Sequence, residues 1–224
     1  VDFFRQLGKE LLQLRGRSNA KARLECLFRT CAFLWQYGDH RGALAIAGHA
    51  IELAAATDKP TELRRYYLAQ GVLHADSGDS GLALQSYLKS LEYASKLDDA
   101  LGECYVWNNL AALFVNSGLF GEALACAVQC LRIADRNNLS NLEVRRRAEN
   151  NIVLAKHRLG DHSGALATAR RLISGAQDPR TAYEATSRIN LEQHFILALI
   201  AQGELGEARK HVAFAQKLLT RFPA

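Results

Sequence analysis

The chain has 224 residues, 49% of them hydrophobic and 23% charged, with a formal net charge of +5. These proportions are those of an ordinary folded domain, and the mild basic excess falls short of the stripe a nucleic-acid binder needs. No apolar run is long enough to span a bilayer, and Val1-Asp2-Phe3-Phe4 has neither the basic start nor the cleavage pattern of a signal peptide.

The first stretch, residues 1–19, carries Phe3, Phe4, Leu7, Leu11, Leu12 and Leu14 at amphipathic spacing. We expect a helix that stops near Arg15-Gly16-Arg17-Ser18, either an N-terminal cap or the second helix of a partial repeat. A helix–turn–helix unit follows over 20–60. Leu24, Leu27, Phe28 and Leu34 line its first helix, Gly38 makes the turn, and Asp39 is placed to cap the second helix. Pro60 cannot continue a helix, so the break is expected there, with Thr61 as the next N-cap.

The unit over 61–98 has Tyr67, Leu68, Gly71 and His74 before Gly78, then Tyr87, Leu88 and Leu91. His74 reads as a packing histidine. In the unit over 99–140, Leu110, Leu113 and Phe114 lie three and four apart. Asn116-Ser117-Gly118 is a stop signal, and Ala123, Leu124, Ala127, Leu131 and Ala134 resume helical spacing. The unit over 141–180 is the most polar, with Arg145-Arg146-Arg147 early, a turn at Gly160 and a breaker at Pro179. The last, over 181–220, has Phe195, Ile196, Leu199 and Ile200 before Gly203.

These units share a register. A turn Gly is followed five residues later by Ala at Gly38/Ala43, Gly78/Ala83, Gly118/Ala123, Gly160/Ala165 and Gly203/Ala208. Eleven residues beyond each Ala stand Ala54, Ala94, Ala134, Ala176 and Leu219. Five such pairs at steps of about 40 residues, each inside a helix–turn–helix pattern, indicate a helical solenoid. The expected fold is all-α: a right-handed superhelical solenoid of about five antiparallel helix hairpins spanning 20–220.

The turn Gly, the small Ala of the second helix and the run Asn108-Asn109-Leu110-Ala111 resemble the tetratricopeptide repeat (TPR). The period is longer than the family's common 34 residues, so the chain is most similar to the long-helix branch of kinesin light chains and bacterial peptide-sensing regulators. The Ala-rich repeats with Gly-Asp turns also resemble the sensory regions of bacterial signalling proteins such as diguanylate cyclases. The resemblance implies a module that binds a protein or peptide, in a signalling or regulatory protein.

In that family the first helices of successive repeats line a concave groove. Carried over by distance from each turn Gly, the resemblance implies Arg65, Tyr105, Asn108, Asn116, Arg147, Asn150, Arg158, Asn190 and Gln193 as partner-binding residues, with Leu154 and Leu197 beside them. Asn108 and Asn150 hold the same place, ten residues before Gly118 and Gly160. A carboxamide both donates and accepts. Two of them one repeat apart suit the backbone of an extended peptide; the alternative is that they bridge neighbouring helices. The nearby arginines suggest a partner of acidic character. The basic clusters fit two readings, solvated helix faces or an anion-seeking groove.

No phosphate loop, His-Glu-x-x-His or Gly-x-Ser-x-Gly is present, so no catalytic residues are assigned. The five cysteines include no Cys-x-x-Cys pair and read as buried, reduced thiols rather than metal ligands, which points to a reducing, cytoplasmic compartment. No cofactor, metal, nucleic acid or membrane is expected. An architectural or dimerisation scaffold, with a homodimer as partner, and the repeat region of a transcriptional regulator are the alternatives. The absence of Met suggests a processed or excised part of a longer protein.

Overall fold

Tight turns punctuate the chain about every twenty residues, and the computed structural model, which describes residues 1–13 and 19–222, shows what they separate. Eleven α-helices and no strand occur among the described residues. They are α1 (Asp2–Gln13), α2 (Ala20–Gln36), α3 (His40–Ala56), α4 (Pro60–Asp76), α5 (Ser80–Lys96), α6 (Ala100–Asn116), α7 (Phe120–Arg136), α8 (Leu142–Arg158), α9 (His162–Ser174), α10 (Ala182–Ala201) and α11 (Leu205–Arg221). The expected all-α class of antiparallel helix hairpins is what the chain forms. Leu14, the expected helix end at Arg15-Gly16-Arg17-Ser18, and the terminal Pro223 and Ala224 lie outside the described residues.

Two turn chemistries alternate. Inside each hairpin the turn Gly is left-handed: Gly38, Gly78, Gly118, Gly160 and Gly203 have φ between +75° and +86°. A residue with a β-carbon resists that conformation. Between the first four hairpins an Asx residue takes the left-handed place instead, at Asp58 (φ 49°), Asp98 (φ 51°) and Asn138 (φ 50°). Asn and Asp tolerate it better than other side chains. Pro60 is therefore not the break. It is the first residue of α4, where its missing N–H costs nothing, and Thr61 lies inside the helix rather than capping it. Asp39, Asp79 and Asp161 accept hydrogen bonds from Gly42, Leu82 and Gly164 N–H at 3.1, 3.0 and 2.9 Å. Each such cap is worth about 1 kcal/mol.

The chain forms two compact units, Val1–Leu113 and Phe114–Ala224, with the boundary inside α6. In the first, the core is Leu24, Leu27, Cys31 and Leu34 of α2 against Ala43, Ile46, Ala47, Ala50 and Ala54 of α3, extended by Leu63, Tyr66 and Leu73 of α4. Tyr66 is fully buried, and its hydroxyl donates to the Leu24 carbonyl at 2.5 Å. A Cβ on Gly71 would overlap the Tyr87 ring, so α4 and α5 cross closely there. α1 packs on both α2 and α3, with Phe4 stacked on Phe33 at a centroid distance of 3.6 Å.

In the second unit the core runs through Val153 of α8, Ala165, Leu166 and Ala169 of α9, Phe195, Ala198 and Leu199 of α10, and Ala208 of α11. All five alanines after the turn glycines are buried. The second small position holds only in the first three hairpins, where Ala54, Ala94 and Ala134 are buried. α9 stops at Ser174, so Ala176 lies beyond it, and Leu219 faces outward while Leu218 points inward. The five cysteines are free thiols; four are buried as expected, but Cys26 is exposed. Burial pushes the Cys31 thiol up to about 12 and the Cys126 thiol up to about 11.

Candidate functional site

Three stretches of the second unit converge on one cavity of about 760 Å³. The end of α6 and the following turn supply Val115, Asn116 and Gly118, and the start of α7 supplies Phe120. α8 supplies Leu154 and Arg158, one helical turn apart. α10 supplies Gln193, His194, Ile196 and Leu197. Val115, Phe120, Leu154, Ile196 and Leu197 make the apolar half of the wall. Asn116, Arg158, Gln193 and His194 place a cation, two carboxamides and an imidazole around it. An apolar concavity of this size with a few convergent polar groups is the usual form of a ligand site.

Local structure fixes these side chains. The α8 stripe Arg147, Asn150, Leu154 and Arg158 repeats at three to four residues and so shares one helix face. Asn141 holds the start of α8, its Oδ1 accepting from the N–H groups of Glu143 and Val144, both at 3.1 Å. α10 is locked to α11 through Glu192, which is fully buried. Its two oxygens accept from Arg188 Nε at 2.8 Å and pair with His211 Nδ1 at 2.7 Å. The His211 ring meets Phe195 edge-on at 4.7 Å. Gln193 and His194 follow Glu192 directly, so this strut sets where they project.

The electrostatics around the cavity are uneven. Arg145 pairs with Asp135, Arg171 with Glu149, and Arg170 with Glu204 and Glu207. Lys156 lies 3.6 Å from Asp161. Arg158 has no carboxylate partner among the described residues; its guanidinium stands 5.9 Å from the Phe120 ring centroid. Burial, with help from His157 and Arg158, pulls the His194 imidazole down to about 4, so it is neutral at pH 7. His157 is also held below the usual histidine range, by burial and then by His162 and Arg158.

Of the nine residues expected to face a partner, the cavity wall gathers Asn116, Arg158 and Gln193. Asn150 stands behind the wall, its Oδ1 2.8 Å from His194 Nδ1. Arg147 is half-buried on α8, and Asn190 is exposed on α10 one turn before Gln193 and His194. Arg65, Tyr105 and Asn108 belong to the other compact unit. There Arg65 is bound to Glu25 and Glu62 at 2.9 and 3.0 Å and covers the Phe28 ring at 4.1 Å. Tyr105 is half-buried. Asn108 is 1% exposed, so its carboxamide serves the interior rather than the surface. His194 and Phe120 were missed. Phe120 follows a turn glycine by two residues, and His194 neighbours Gln193, but neither has a register mate in the other hairpins to single it out.

No family model matches the chain, and neither does any curated protein. Solved structures do match. BtubC (BKLC) from P. vanneervenii is 19% identical, with a TM-score of 0.73 over 98% of this chain and 87% of that one. The fold is that of TPR-like repeat proteins. A Podosopora anserina protein described as a kinesin light chain with nearly identical TPR-like repeats is 15% identical, with a TM-score of 0.67 over 93% of this chain and 99% of that one. A Rap protein complexed with Competence and Sporulation Factor is 13% identical, with a TM-score of 0.70 over 99% of this chain and 59% of that one. At these identities the likeness is one of fold. No helix among the described residues is long and apolar enough to cross a membrane.

Proposed function

We propose that this chain is a non-catalytic binding module for an extended peptide or protein segment of acidic character, and that the cavity between α8 and α10 is where the segment docks. The observation that carries the reading is Arg158: a cation without a carboxylate partner among the described residues, on the wall of a part-apolar concavity that also holds the carboxamides of Asn116 and Gln193. The apolar wall takes a side chain, the carboxamides take backbone groups, and Arg158 takes a carboxylate. Arg147 and Asn190 extend the same helix faces along the path of a longer segment. Among the similar structures, a Rap protein is bound to Competence and Sporulation Factor. A regulatory role in a cytoplasmic signalling protein, such as the sensory region of a bacterial diguanylate cyclase, is the setting we infer for this chain.

An array of random twelve-residue peptides, probed with the labelled protein, tests the site. Bound peptides should be enriched in Asp and Glu next to a large apolar residue. Arg158→Glu should lose that enrichment, and Leu154→Asp should lose binding, with both variants as helical as the wild type. If both bind the same peptides as the wild type, the cavity is not the site.

A scaffolding role has its own observation. Val212 and Leu219 of α11 are 40% and 56% exposed, whereas their register mates in α7, Ala127 and Ala134, are fully buried. A helix of a second copy laid on that stripe would make a homodimer, and Val212→Glu would then return the protein to monomer in sedimentation.

A further inference from the structure

The cavity holds one side chain whose hydrogen-bonding sense is set from behind. His194 Nδ1 lies 2.8 Å from Oδ1 of Asn150 on the neighbouring α8. With the Asn150 amide oxygen toward the ring, Nδ1 carries the proton, because a carboxamide oxygen only accepts. A neutral imidazole protonated at Nδ1 bears a lone pair at Nε2. No described residue hydrogen-bonds that nitrogen, while the His194 side chain forms part of the cavity wall. Burial keeps the ring neutral at pH 7, and the nearby His157 and Arg158 push the same way.

The other polar groups of the wall behave differently. Arg158 can only donate. Asn116 and Gln193 present both a donor and an acceptor and can rotate either end toward a ligand. With Asn150 Oδ1 facing Nδ1, His194 alone among them presents only an acceptor to the cavity.

We propose that His194 is the specificity-determining residue of this cavity, accepting through Nε2 a hydrogen bond from one backbone N–H of the bound peptide, and that Asn150 is its positioning residue. This rests on the reading of the cavity as a peptide site. It assigns Asn150 a role different from a direct clamp on the partner: its carboxamide works through the imidazole. A peptide that presents proline or an N-methylated residue at that point leaves a half-buried acceptor unpaired and is rejected. One buried hydrogen bond of this kind corresponds to about a tenfold to hundredfold loss of affinity.

The test uses the strongest acidic peptide from the array and its N-methyl scan, titrated against the wild type, His194→Phe and His194→Gln. In the wild type one N-methyl position should cost tenfold or more. In His194→Phe that position should cost no more than its neighbours. His194→Gln, whose Oε1 can accept, should restore part of the penalty. Nitrogen-15 spectra of the unmodified protein at pH 7 should show His194 as the neutral Nδ1–H tautomer, and Asn150→Ala should convert it to a tautomer mixture.

An Nε2–H tautomer in the wild type overturns the proposal, whether or not the variants fold. So does an N-methyl profile that is the same in the wild type and His194→Phe. If no array peptide binds the wild type, the peptide-site reading itself fails, which is a separate result from either of these.

Discussion

At the scale of single residues, His194 combines three constraints that bear on stability as well as binding. Its folded pKa is pulled down to about 4 from the ordinary 6.5, first by burial and then by His157 and Arg158. Between those two values an unfolded chain takes up a proton that the folded chain refuses. Stability from this group is therefore complete above about pH 7 and falls as pH drops from 6.5 toward 4, by at most about 1.4 kcal/mol per pH unit. Urea midpoints at pH 7.5 and 5.0 should show the wild type losing about 2 kcal/mol more than His194→Gln over that interval. An equal loss in both proteins would mean that the imidazole is not held neutral. The sequence could not show this. Asn150 stood out through its register with Asn108, but its partner lies 44 residues further on, and only the packing of α8 against α10 brings the two together. Asn108 itself shows the limit of register: the same position along a helix is interior in one compact unit and behind a cavity wall in the other.

At the scale of elements, the turns were the most legible feature, because their requirement is local. A left-handed residue must close each hairpin, and glycine recurs there five times. The between-hairpin turns were less legible, since Asp and Asn are common residues whose left-handed use leaves no separate mark; the break before α4 was accordingly read two residues late. The alternation of the two turn chemistries supports a prediction. A Cβ on Gly118 would meet nothing within 4 Å, so any cost of replacing it is conformational rather than steric. Gly118→Ala should lower stability by roughly 1–2 kcal/mol, and Gly118→Asn should lower it less, as Asn138 holds the same conformation one turn later. Equal losses measured by thermal unfolding would mean that the left-handed backbone is not what glycine provides there. The second small position was misread in the last two hairpins for a tertiary reason. α9 is shortened to 13 residues, and α11 turns Leu218 rather than Leu219 inward. No local rule in the sequence anticipates either.

At the scale of the whole molecule, fold class was readable because it repeats, whereas the candidate site was readable only in part because it does not. The cavity draws on residues near 115–120, 154–158 and 193–197, and its most informative property is a guanidinium on its wall that has no carboxylate partner among the described residues. Counting basic residues along the chain could not separate the neutralised Arg145, Arg170 and Arg171 from Arg158. That difference leads to a prediction about salt. The chain carries a net charge of +5, which favours encounter with an acidic partner, and Arg158 is exposed, so its attraction is open to screening. The screening length shrinks from about 10 Å at 0.1 M salt to about 3 Å at 1 M. One exposed ion pair is worth up to about 1 kcal/mol, so the affinity for the selected acidic peptide should fall by roughly fivefold across that range. Arg158→Glu should bind more weakly at 0.1 M and lose or reverse the dependence, because salt then screens a repulsion where it had screened an attraction. Calorimetric titration of both proteins at the two salt concentrations decides it. The same salt dependence in both would place the acidic contact away from Arg158, and no dependence in the wild type would leave the apolar wall and the carboxamides as the source of affinity.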